Sequence, residues 1–130
     1  MHTIKHPNDE DEDGVKWKEL TSLRSLTLYG IPKLEYLPKV LQHVTSLQVL
    51  QITLCLNLMT LPEWIDNLTS LSSLIIRHCP NLTSLPERMC HLHSLQTVSI
   101  LYCPILKERC KKDIGEDWPK IAHVPYLDIS

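Results

Sequence analysis

The chain has 130 residues, a length that fits one small domain and excludes a multidomain enzyme. Its net charge of -2 gives no basic excess for nucleic acid, and 43% hydrophobic with 22% charged residues is a globular balance. Only three glycines occur, and neither GxxxxGK[ST] nor GxGxxG is present, so no phosphate-cradling loop is expected.

The first segment, residues 1–15, reads as an acidic disordered linker. Asp9 to Asp13 are five consecutive acids that repel one another and stay solvated. No run is apolar enough to span a membrane, and the opening Met1-His2-Thr3-Ile4-Lys5 does not have the pattern of a signal peptide. The expectation is therefore a protein of the cytoplasm or nucleus whose five cysteines are reduced.

Residues 16–112 repeat. Leu23, Leu47, Leu71 and Leu95 lie 24 apart, and so do Leu26, Leu50, Leu74 and Val98. Leu28, Ile52, Ile76 and Ile100 form a third column, and Leu34, Leu58, Leu82 and Leu106 a fourth. One unit reads L-x-x-L-x-φ-x-x-[C/I]-[P/L]-x-L-x-x-L-P, similar to the core of a leucine-rich repeat. The alternation Leu26-x-Leu28 makes a short strand with one apolar face. Four parallel strands are predicted at 25–29, 49–53, 73–77 and 97–101. No unit can bury its own face, so each must stack on its neighbour.

After each strand stands Ile31, Cys55, Cys79 or Cys103, a position suited to a small buried side chain at a bend. Pro32, Pro80 and Pro104 follow, and cannot continue a ladder. The pairs Leu37-Pro38, Leu61-Pro62 and Leu85-Pro86 mark a second stop, after which turns or short helices are expected at 39–43 and 63–67. In the fourth unit Arg109-Cys110 replaces this pair, within a basic stretch 107–112 read as a solvated helix. Residues 113–130 are read as a C-terminal cap, with Trp118, Ile121, Val124, Leu127 and Ile129 covering the last unit. The fold class is thus α/β: a right-handed leucine-rich-repeat solenoid, or horseshoe, with its parallel sheet on the concave face.

Chemistry-bearing patterns are sparse. His78, Cys79, Cys90, His91, His93, Cys103 and Cys110 include no CxxC, and the repeat already explains Cys79 and Cys103, so no metal or cofactor is expected. Glu63, Asp66 and Glu87 lie on the outer face without evident partners, which gives acid–base catalysis no support. Trp64 is read as outer-face packing. The expectation is a protein that is not an enzyme.

The remaining candidate is the concave face of the sheet. Strand alternation assigns to it Tyr29, then Val49, Gln51 and Thr53, then Ile75 and Arg77, then Ser99 and Leu101. His78 and Tyr102 follow directly after their strands. Tyr and Arg are common at protein-binding hot spots, so a protein partner is expected and nucleic acid is not.

The unit Cys79-Pro80-Asn81-Leu82-Thr83-Ser84-Leu85-Pro86 and the tail Gly115-Glu116-Asp117-Trp118-Pro119-Lys120-Ile121-Ala122-His123-Val124-Pro125 narrow this further. Together they resemble the C-terminal leucine-rich repeats of plant nucleotide-binding disease-resistance receptors (NLRs) of the coiled-coil type. The resemblance implies an interaction module of an intracellular immune receptor. Its implied partners are a pathogen effector, a guarded host protein or the receptor's own nucleotide-binding domain. Nucleotide binding itself does not carry over, because the chain has no P-loop. A leucine-rich-repeat scaffold without an immune role is the alternative from another class.

Overall fold

In the computed structural model the described residues are 2–4 and 22–130. They contain one six-stranded, wholly parallel sheet whose strand order follows the sequence. The strands are β1 (His2–Ile4), β2 (Ser25–Tyr29), β3 (Val49–Thr53), β4 (Ser73–Arg77), β5 (Thr97–Leu101) and β6 (Tyr126–Ile129). The four expected strands have the expected bounds. The expected count of four is corrected, because the sheet gains a strand at each end. β1 lies within the segment read as linker, whereas Asp9 to Asp13 lie outside the described residues. β6 lies within the segment read as cap.

The register explains the columns. Leu26 pairs with Leu50, Leu50 with Leu74 and Leu74 with Val98, a step of 24 residues each time. Every second side chain of each strand therefore meets its equivalents in the neighbours, and Leu50, Ile52, Leu74 and Ile76 are wholly buried. A shift of one residue would turn this entire set to solvent, so the alternation fixes the register.

Three 3-10 helices, Lys39–His43, Glu63–Asn67 and Glu87–His91, lie between successive strands in the chain. Each starts directly after the proline of a Leu-Pro pair, whose fixed φ leads the chain in from an extended conformation. Each buries one residue of a single column, namely Leu41, Ile65 or Met89. The acids between them are not isolated, which corrects the expectation of unpartnered carboxylates. Glu63 accepts the backbone N–H groups of Glu87 and Arg88 at 3.2 and 3.0 Å. Asp66 pairs with Arg88 at 3.0 Å, and Glu87 pairs with Lys120 at 3.5 Å.

The C-terminal part differs in kind. Helix α1 (Pro104–Arg109) starts earlier than the basic stretch suggests, with Pro104 in its first turn and Leu106 in the core. It is not merely solvated, because Arg109 reaches back to Asp117. That carboxylate is 0% exposed. It accepts from Arg109 Nε and Nη2 at 3.1 Å each, from Lys120 Nζ at 2.7 Å and from the Leu85 N–H at 2.9 Å. Lys120 Nζ also donates to the Leu85 carbonyl at 2.7 Å. Asp117 and Lys120, which flank and belong to the short helix α2 (Trp118–Ile121), thus satisfy both backbone groups of Leu85 in the preceding unit. Gly115 is required here, since a Cβ would lie 2.2 Å from the Arg109 carbonyl oxygen. Ile121 and Val124 are buried, while Trp118, Leu127 and Ile129 pack on the core half-buried.

Candidate functional site

One face of the sheet packs on the core and the other is open. On the open face, Gln51, Ile75, Ser99 and Asp128 form one row across β3 to β6. Tyr29, Thr53, Arg77 and Leu101 form a second row across β2 to β5. Val49 belongs to a third, which runs from Ser25 in β2 to Tyr126 in β6. Arg77, His78 and Tyr102 are exposed, and Val49, Gln51, Ile75, Ser99 and Leu101 are half-buried. Tyr29 is exposed at the β2 side, about 14 Å from Leu101 by three strand spacings.

Thr53 is a correction. It is only 8% exposed, because its short side chain lies between the longer Tyr29 and Arg77 in the row. Gln51 Nε2 donates to its hydroxyl at 3.5 Å. It shapes the face without offering much surface to a partner.

The positions just after β2 to β5 share a left-handed backbone, with φ of 63° at Gly30, 57° at Leu54, 54° at His78 and 60° at Tyr102. In this conformation the N–H donates to the carbonyl ending the next strand, Gly30 to Thr53, Leu54 to Arg77 and His78 to Leu101, while the Tyr102 N–H donates to the carbonyl of Ser130, just past β6. The turn also carries the chain to the buried Ile31, Cys55, Cys79 or Cys103. Glycine takes this φ without strain in only one unit. In two others the strained residues are aromatic, and the His78 and Tyr102 rings stack with centroids 4.5 Å apart and an interplanar angle of 11°. Beside them Arg77 has no ion-pair partner among the described residues. A free guanidinium beside a flat ring pair can hold a carboxylate and pack an apolar or aromatic side chain at once.

Reasoning from the repeat missed Tyr126 and Asp128. Leu127-x-Ile129 carried the alternation, but Val98 pairs with Leu127, a step of 29 residues, which falls outside the 24-residue columns. Tyr126 is 68% exposed at the β6 end of the face.

Cys55, Cys79 and Cys103 serve the bend after their strands. All five are free thiols, and Cys55, Cys79, Cys103 and Cys110 are buried. Cys79 Sγ donates to the Arg77 carbonyl at 3.4 Å, and the Cys79 N–H donates to Cys103 Sγ at 3.5 Å. Burial pushes the Cys79 and Cys110 thiols up to about 12, and Asp117 adds to the rise at Cys110. They are protonated at neutral pH and poor nucleophiles. Trp64 packs half-buried against the core, as its outer-face column suggests.

The fold is a small α/β protein with a parallel sheet, compatible with a repeat solenoid. No protein-family model matches the chain. A stretch of 24 residues, 18% of the chain, is 67% identical to a Solanum bulbocastanum protein named disease resistance protein RGA4. A stretch of 25 residues, 19% of the chain, is 60% identical to disease resistance protein RGA1 of the same organism. The matched stretches span 2% and 3% of those proteins. No helix among the described residues is long and apolar enough to cross a membrane.

Proposed function

We propose that the chain is a leucine-rich-repeat solenoid serving as a protein-interaction module of a plant intracellular immune receptor of the coiled-coil NLR type, and that it is not an enzyme. Its open sheet face would be the concave face of a right-handed horseshoe. The observation that carries this reading is the exposed group of Arg77, His78 and Tyr102 beside the half-buried Ile75 and Leu101. Backbone strain held at His78 and Tyr102 points to a use for those side chains. The short likenesses to disease resistance proteins support a role in plant defence. A pathogen effector, a guarded host protein or the receptor's nucleotide-binding domain is the partner this reading implies, met in the cytoplasm or nucleus.

A photo-crosslinking residue placed at Leu101 or Ile75, and another at Arg88 on the 3-10 side, tests the reading in infected leaf tissue. Crosslinks to a defined effector or receptor domain are expected from the sheet positions. Crosslinks from the Arg88 position alone would move the site to the other side.

A further inference from the structure

A second surface lies at the β6 edge of the sheet. Parallel strands point alternate residues' backbone groups to the two sides. The Tyr126 N–H donates to the Gln96 carbonyl and the Ser130 N–H to the Ile100 carbonyl, both at 3.0 Å. The N–H and C=O of Leu127 and Ile129 therefore point away from β5, and no strand lies beyond β6 among the described residues. An unpaired parallel edge is a template for another strand.

Beneath this edge is a groove of about 730 Å³, with Trp118, Val124, Leu127 and Ile129 among its lining. A strand added beside β6 would direct alternate side chains to the same side as Leu127 and Ile129, over that apolar lining. Lys107, Lys111 and Lys112 also line the groove, against a single glutamate, Glu108. Glu108 pairs with Lys111 at 3.9 Å, leaving Lys107 and Lys112 without ion-pair partners among the described residues.

We propose that β6 and this groove take an extended segment of a protein partner as a seventh parallel strand. The segment is aliphatic at two alternate positions and acidic further along. Its acids follow the aliphatic pair at the separation by which Lys107 to Lys112 follow β5, since a seventh strand leaves the sheet on the side where α1 lies. The unpaired backbone selects a peptide over a small amphiphile, and the lysines select the sign of its charge.

The probe is a labelled synthetic peptide carrying two leucines, one residue apart, followed by glutamates, titrated with the full chain by fluorescence anisotropy. It should bind, and weaken as salt rises. The K107E/K112E variant should lose about tenfold or more in affinity, while Lys33→Glu should change little. Replacing the residue between the leucines by proline, which removes a backbone donor, should weaken the peptide comparably. Circular dichroism of K107E/K112E confirms that the chain is folded. Absence of binding to the folded wild-type chain, equal binding of a lysine-bearing peptide, or indifference to the proline overturns the proposal. A concentration-dependent dimer that K107E/K112E abolishes also overturns it, and assigns the groove to a second copy.

Discussion

His78 holds a left-handed φ that a β-carbon disfavours by about 1–3 kcal/mol. Glycine removes that strain and alanine does not, while both delete the ring stacked on Tyr102. His78→Gly should therefore be more stable than His78→Ala by about 1 kcal/mol, read as the difference in urea midpoints at equal slope. The reverse order would mean that the neighbouring hydrogen bonds, not the side chain, set this conformation. Arg77→Ala is the complementary case. Its side chain is exposed and has no ion-pair partner among the described residues, so stability should change by no more than about 0.5 kcal/mol while binding of a crosslinked partner falls.

The strands and the C-terminal helices hold together by different forces. Leu74 is wholly buried at the centre of the sheet, between Leu50 and Val98. Leu74→Ala removes that packing and leaves a cavity, with an expected loss of about 2–5 kcal/mol in denaturant titration. The junction of α1 and α2 is electrostatic. Burial alone would push the Asp117 carboxyl up, but Arg109, Lys120 and the Leu85 N–H favour its charged form more strongly, so it titrates below its ordinary value. The stability it contributes is present above the unfolded carboxyl value of about 3.9 and is lost as pH falls through the lower folded value. Asp117→Asn removes the buried charge that Arg109 and Lys120 share and leaves them only the exposed Glu116 and Glu87, so it should cost about 1.5–3 kcal/mol at neutral pH. The gap between variant and wild type should narrow with acid. A gap constant from pH 7 down to full acid unfolding would show that Asp117 acts by shape rather than by charge.

At the scale of the molecule, each described strand pairs only with its neighbours in sequence order, so apolar surface would be left open at the two ends of the sheet unless it is covered there. β6, α2 and the Asp117 cluster close one end. Deleting 113–130 should open the core under Leu95, Val98 and Ile100, all buried in the intact chain. The truncated chain should bind a hydrophobic dye and aggregate on gel filtration. A monomeric, dye-negative truncation would show that α1 alone closes the stack.

The sequence by itself determined the interior of the repeat. Apolar residues recurring every 24 positions and alternating within each strand leave one register that buries them, so Leu26, Leu50 and Leu74 are legible as core without coordinates. The open-face positions follow from the same alternation, so Ile75, Arg77 and Leu101 are legible as open-face residues, whereas His78 is placed only by following its strand. Only the tertiary structure decided what depends on contacts across units. Thr53 is covered by its neighbours in the row, and Asp117 is buried because Arg109, Lys120 and Leu85 converge on it from separate elements. β6 joins at a spacing of 29 residues that breaks the columns. Periodicity reports one chain segment's burial against its own repeats. It carries no signal for a side chain whose environment is assembled from elsewhere, and the closed end of the stack is built from such side chains.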